Sequence, residues 1–236
     1  MNVLITGAGR GIGYQAALAL SAEKGTRVLA VSRSETNLNK LKEQALSENG
    51  AKIIPVLFDL ETGNLDELAA LVGREIGKLD VLINNAAAIL VRPFAELTEE
   101  DFVKIYWLNV IRVASLTRKM IPLMEREGPD KSHVLNISSM GGFQGAAKFL
   151  GLSAYSSSKA ALCGLTECLA EELKQMQIAV NCLCLGAVQT EMLLEAFPGY
   201  EAPVSPLQMG QYIAGFALKG HHFFNGKILP VSLSTP

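Results

Sequence analysis

The sequence predicts an α/β fold: a doubly wound sheet of about seven parallel strands with helices on both faces, read as one domain over 1–236. Three observations predict it. β-prone apolar runs alternate with helical patterns along the whole chain, the signature of a parallel sheet with right-handed crossovers. The runs are near-continuously apolar, as in Val81-Leu82-Ile83, which is what strands covered on both faces require. A glycine-rich turn joins the first apolar run to the first helical pattern, the context of a dinucleotide fingerprint.

Taken in order, strands are expected near 2–6, 27–32, 52–58, 80–84, 132–138, 178–184 and 227–231. Helices are expected near 12–23, 35–48, 65–76, 99–126, 153–175 and 206–218. Asn64 and Thr98 are placed to cap the helices that follow them, and Thr98 with Asp101 fits a capping-box pattern. Pro198-Gly199 and the prolines at 203 and 206 mark 191–205 as irregular. No linker, repeat or low-complexity segment divides the chain.

The 236 residues are nearly half apolar and carry a net charge of −2. That balance provides no basic field for nucleic acid or an acidic membrane. No apolar run reaches transmembrane length, and the first strand starts too early for a signal peptide, so a cytoplasmic protein is expected. Cys182 and Cys184 lie two apart on one face of a strand. C-x-C is too short for an ordinary metal loop, so these cysteines are read as buried, reduced thiols and no metal is expected. His133, His221 and His222 converge with no other ligand type in the sequence, and the His221-His222 pair is read as surface.

Residues 3–6 run straight into Thr6-Gly7-Ala8-Gly9-Arg10-Gly11-Ile12-Gly13. The spacing is G-x-x-x-G-x-G on Gly7, Gly11 and Gly13, since Ile12 interrupts a G-x-G-x-x-G. Glycines there let backbone amides approach a pyrophosphate, and the helix N-terminus adds partial positive charge. This is a Rossmann-type arrangement. About 20 residues on, where an acid would hold the 2′-hydroxyl of NAD, stand Ser32 and Arg33. Arg10 and Arg33 together suit a 2′-phosphate through charge-assisted bonds. NADP(H) is therefore expected over NAD(H). Glu35 is placed either to pair with Arg33 or to serve as a displaced ribose ligand.

Tyr155 and Lys159 are four apart in the predicted helix 153–175. They share one face, roughly 6 Å apart along the axis. A phenol beside an ammonium is a proton donor whose pKa is brought down from about 10. A hydroxyl from the nearby strand end at Ser138-Ser139 could hold a carbonyl oxygen against it.

Together these motifs resemble the short-chain dehydrogenase/reductase family in its single-domain form, including 3-oxoacyl carrier-protein reductases and carbonyl or sepiapterin reductases. The resemblance covers almost the whole chain. The turn at 6–13 matches the family's cofactor turn, Asp59 its acid near the adenine, and Asn84-Asn85-Ala86-Ala87 its N-N-A-G with Ala87 for glycine. The segment Gly186-Ala187-Val188-Gln189-Thr190 is similar to the stretch beside the nicotinamide, with Leu185 where proline is usual. Asn109, Ser139, Tyr155 and Lys159 match the catalytic set.

The resemblance implies an NADPH-dependent oxidoreductase that reduces a carbonyl to an alcohol or runs the reverse. Gly7, Arg10, Gly11, Ile12, Gly13, Ser32, Arg33, Asp59, Asn85, Ala86, Tyr155, Lys159, Gly186, Val188 and Thr190 would meet the cofactor. Tyr155 would give the proton, and Lys159 would tune Tyr155 and bond the nicotinamide ribose. Ser139 would place the carbonyl, and Asn109 would hold a relay water. Ser138 is the rival of Ser139. The implied partners are a small carbonyl or alcohol, with a 3-oxoacyl thioester as the family default, and a second copy of the chain in a homodimer or homotetramer. A dinucleotide-binding sensor or scaffold without turnover is the other reading.

Two departures stand out. The Ser139–Tyr155 interval is a few residues longer than usual in the family, placing extra chain at 142–153, which should lip the site. The tail from Gly226 to Ser234 lacks the usual final glycine pair and resembles that of sepiapterin-reductase-like members. Phe143, Phe149, Leu152, Met192, Leu193 and Phe197 are read as an apolar mouth, with packing under the loops or in a subunit contact as the equal alternatives.

Overall fold

The computed structural model describes residues 1–233; Ser234, part of the tail discussed above, lies outside them. Seven strands form one parallel sheet in the order β3-β2-β1-β4-β5-β6-β7. They are β1 (Asn2–Thr6), β2 (Arg27–Ser32), β3 (Ile53–Leu57), β4 (Val81–Asn84), β5 (Ser132–Ser139), β6 (Ile178–Leu185) and β7 (Ile228–Val231). The two edge strands each carry a proline, Pro55 and Pro230. Edges tolerate proline because a missing ladder donor can face outward there.

Alternation along each strand divides the core. Val3 and Ile5 of β1 join one apolar cluster with α1 (Gly11–Ala22), α2 (Glu35–Asn49) and α8 (Pro206–Lys219). Leu4 joins the other, with α3 (Leu65–Ile76), α5 (Arg112–Met124) and α6 (Ser153–Glu172). Each fully buried leucine, such as Leu82 or Leu116, contributes ~1.5–3 kcal/mol relative to exposure. The caps form as the sequence predicts. Asn64 accepts from Asp66 N at 3.0 Å, and Thr98 with Asp101 closes a capping box on α4 (Glu99–Tyr106).

Three readings change. The helix expected over 99–126 is interrupted by a π turn, Trp107–Ile111, between α4 and α5. The irregular stretch 191–205 contains a short helix, α7 (Glu191–Ala196), and a bridge between Val188 and Val204. His221 is buried, not surface. Its ring centroid lies 5.3 Å from that of His133 and 4.1 Å from that of His222. His133 is fully buried, held between Ala217 O at 2.9 Å and Asn181 Nδ2 at 3.1 Å. Desolvation there pushes its pKa down to about 4. Among the described residues, no helix is long and apolar enough to cross a membrane.

Strand order reverses between β1 and β4, so the crevice beyond their carboxyl ends is the expected ligand position. A buried chain of polar side chains lies beneath it. Asn84 Nδ2 donates to Thr117 Oγ1 (3.1 Å) and Asn136 Oδ1 (2.9 Å), and Asn136 Nδ2 donates to Thr166 Oγ1 (2.9 Å).

Candidate active site

The crevice is a cleft of about 740 Å³. Its floor at one end is the glycine turn. Gly7 and Gly11 have φ of 69° and 58°, the left-handed region that disfavours a side chain. A methyl on Gly9 would stand 2.2 Å from Ser32 Oγ, and one on Gly13 2.3 Å from Gly7 O. Arg10 stands at the N-cap of α1 and makes no side-chain cap there. The first amides of α1 are therefore left for an external acceptor, the arrangement that suits a phosphate.

Thr6 and Asn85 hold this turn against β4. The amides of Asn85 and Ala86 both donate to Thr6 Oγ1 at 3.1 Å, and Asn85 Nδ2 donates to Thr6 O at 2.9 Å. The fastening role of Thr6 is not readable from its type alone. Asn85 and Ala86 border the cleft as well.

Ser32, Arg33 and Asp59 line the next part of the wall. Asp59 accepts from Glu61 N at 2.9 Å and from Thr62 Oγ1 at 3.2 Å, which sets its loop. Arg33 is paired with Glu61, at 3.9 Å, and not with Glu35. Arg10 is paired with Glu195 of α7 at 3.1 Å. The fold thus brings Glu195, 185 residues away in sequence, to the glycine turn.

At the far end stand Ser139, Tyr155 and Lys159, all bordering the cleft. The phase of β5 separates the two serines. Ser138 Oγ donates to Lys159 O at 2.9 Å, while Ser139 Oγ accepts from Gly141 N at 3.1 Å and borders the cleft together with Tyr155. Lys159 is buried, its Nζ donating to Ile137 O at 2.8 Å and lying 5.8 Å from the centre of the Tyr155 ring.

The electrostatics differ from the sequence expectation. Burial pushes the Tyr155 phenol up to about 12, the nearby Ser139 hydroxyl only partly opposing it. Burial likewise pulls Lys159 down to about 8. At each group desolvation outweighs what opposes it, the Ser139 hydroxyl at Tyr155 and the neighbouring cysteines at Lys159.

Asn109 sits in the π turn and is fully buried, but it does not border the cleft. Its Nδ2 donates to Ala88 O (2.9 Å) and Ser158 Oγ (3.0 Å), and its Oδ1 accepts from Ala88 N (2.9 Å). Both amide hydrogens are thereby used to tie α6 to the segment after β4. The geometry is that of a positioning residue, in place of a side chain reaching into the cleft to hold water.

Gly186, Val188 and Thr190 form the opposite rim. A methyl on Gly186 would meet Ser232 Oγ at 2.3 Å, and Thr190 caps α7 by accepting from Leu193 N at 3.2 Å. Phe149, Leu152, Met192, Leu193 and Phe197 line the mouth, and Phe149 and Phe197 lie 6.4 Å apart between ring centroids. Phe143 instead packs against a cysteine cluster behind the wall.

Comparison with known proteins agrees with this layout. The short chain dehydrogenase family matches residues 1–201. The chain is 36% identical to a ketoacyl reductase of Nostoc sp. over 82% of its own length and 66% of that protein's, just under two thirds. It is 36% identical to a carbonyl reductase (NADPH) of Sus scrofa, covering 81% of this chain and 73% of that protein. A solved short chain dehydrogenase from Escherichia coli, complexed with NADPH, superposes with a TM-score of 0.86 at 27% identity, covering 97% and 95% of the two chains. A match over that span, on a seven-stranded sheet with the glycine turn and the Ser-Tyr-Lys group at its carboxyl edge, makes the chain a member of the short-chain dehydrogenase/reductase family of oxidoreductases.

Proposed function

We propose that the protein is an NADPH-dependent reductase that converts a small carbonyl to an alcohol. The observation that carries the proposal is the gathering of Ser139, Tyr155 and Lys159 on the wall of a cleft whose other end is an uncapped glycine turn. When bound, the cofactor supplies or accepts hydride.

The chain's own residues supply the rest. Gly7, Gly9 and Gly13 let the turn close against Asn85, Ser32 and its own backbone, which sets the α1 amides to bind a pyrophosphate. Ser139 orients the carbonyl oxygen toward the phenol. Tyr155 holds its proton firmly and gives it only to an oxygen gaining charge, as suits a general acid. Lys159 places a cation one helical turn away. Ser138 and Ile137 fix that lysine at both ends through its carbonyl and ammonium. The aromatic mouth of Phe149 and Phe197 favours a substrate with apolar surface, such as an acyl chain or a diketone, over a sugar.

Support for the cofactor choice comes from Arg10 and Arg33 on the wall beside Ser32. The NADPH named with the Sus scrofa and Escherichia coli relatives agrees with it. The test is single-turnover hydride transfer with saturating NADPH, across aldehydes, diketones and 3-oxoacyl thioesters. Tyr155→Phe should retain NADPH binding and lose ~10²–10⁴ in rate on any accepted substrate. A variant with near-native rates would remove Tyr155 as the acid. Tight NADPH binding with no turnover on any carbonyl would favour a dinucleotide sensor.

A further inference from the structure

Three of the chain's four cysteines, which stand at 163, 168, 182 and 184, meet at one point. Cys182 and Cys184 share a face of β6, and α6 crosses that face and sets Cys163 against them. The three sulfurs lie within 4.8 Å of one another, Cys163 and Cys184 at 3.6 Å. All three are buried and free of disulfides, whereas Cys168 is exposed. C-x-C alone is too short for a metal loop; the third thiol comes from an element distant in sequence.

A fourth donor stands beside them. Ser138 Oγ gives its own proton to Lys159 O at 2.9 Å and accepts from the Cys163 thiol at 3.6 Å. Its lone pairs therefore face the thiols.

We propose that Cys163, Cys182, Cys184 and the Ser138 hydroxyl oxygen form a closed tetrahedral site for one zinc-like divalent cation. Zinc bonds of about 2.3 Å to sulfur and 2.1 Å to oxygen, at tetrahedral angles, set S···S near 3.8 Å and S···O near 3.6 Å. The Cys163–Cys184 and Cys163–Ser138 separations, both 3.6 Å, already have those lengths. The remaining sulfur separations need close by no more than about 1 Å.

Binding breaks three S–H bonds and forms three metal–sulfur bonds. The three protons leave to solvent and no electron is transferred. Three thiolates and a dication leave one negative charge, which the buried ammonium of Lys159 beside the cluster balances. With four protein ligands the site is structural in type. It would clamp α6, the helix of Tyr155 and Lys159, to β5 and β6. The three thiols lie outside the cleft lining, although Ser138 and Lys159 border it, and metal binding is read without turnover, so the inference stands or falls apart from the reductase reading.

The test uses metal-free, reduced full-length protein carrying Cys168→Ser, which removes the exposed thiol. Cadmium should bind with one equivalent and give a thiolate-to-metal charge-transfer band, and zinc should displace it. Adding Cys184→Ser should weaken binding at least about 100-fold, and Ser138→Ala about 10-fold with the stoichiometry kept. Should Cys184→Ser fail to fold, zinc X-ray absorption on the Cys168→Ser protein decides the matter. Three sulfurs and one oxygen at the metal support the site. No charge-transfer band, cadmium uptake indifferent to Cys184→Ser, or fewer than three sulfurs at the metal overturns it.

Discussion

Lys159 is held to Ile137 at its far end: the ammonium nitrogen donates to the Ile137 carbonyl oxygen at 2.8 Å, inside the protein. A buried ammonium with one carbonyl partner is poorly compensated, which is why its pKa falls to about 8. The sign of the pH dependence follows. Below about pH 8 both folded and unfolded states carry the proton, and the full burial cost is present. Between about 8 and the ordinary lysine value only the unfolded state keeps it, so stability contributed by this site rises with pH. The stability of wild type minus that of Lys159→Met should climb by about 3 kcal/mol from pH 8 to 10.5. Urea unfolding of both proteins at matched pH measures it, and a flat or falling difference contradicts the assignment.

Cofactor preference can be read from Arg33. Its guanidinium is largely exposed and only loosely paired with Glu61. Arg33→Ala should weaken NADPH by roughly tenfold, about 1.4 kcal/mol, and leave NADH unchanged. Paired dissociation constants from cofactor fluorescence give the answer. Equal losses for both cofactors would mean that Arg33 does not meet the 2′-phosphate.

Asn109 should behave as a structural tie. Asn109→Ala strands the half-buried Ala88 amide and carbonyl, and Ser158 loses a donor. A loss of about 2–4 kcal/mol is expected in equilibrium unfolding. Turnover should fall while the KM for NADPH stays within about twofold, because Asn109 does not border the cleft. A large KM effect on NADPH with native stability would point to direct contact instead.

The legibility of these features was uneven, for physical reasons. Strands were readable because a strand covered on both faces must be apolar throughout, as Val81-Leu82-Ile83 is. The glycine turn was readable because few residues besides glycine accept Gly7's φ of 69°, and because a Cβ at Gly13 would stand 2.3 Å from Gly7 O. The π turn at 107–111 was not: one extra residue per turn leaves the composition helical. Nor were the pairings of Arg33 with Glu61 and Arg10 with Glu195, whose partners stand far apart in sequence. Tyr155 and Lys159 were found by spacing, but their pKa directions depend on desolvation, which spacing does not report.

A second copy of the chain is expected to cover the face formed by α4 and the π turn. Ile105, Val113, Leu116 and Leu162 of α4, α5 and α6 face the core. Val103, Trp107 and Ile111 instead expose 66%, 39% and 45% of their surfaces, a patch of the kind that marks an interface. Light scattering should return a dimer or tetramer at micromolar concentration. Val103→Glu with Ile111→Glu should shift it toward a 25.3 kDa particle. A wild-type monomer would refute the expectation.

The amide chain from Thr117 through Asn84 and Asn136 to Thr166 has a consequence for how the sheet is threaded. β4 is four residues long, too short for its apolar side chains to tell one alignment with β5 from the next. Asn84 lies opposite Asn136. A slip of one residue would set it against Leu135 or Ile137 and leave two buried amides without partners, at about 1–3 kcal/mol each. Leucines at both positions would pack as well and would not distinguish these alignments. The polar pair thus works as a key that admits one threading of the central strands, and the strand ends that carry Asn85 and Ser139 are set at a common level by it.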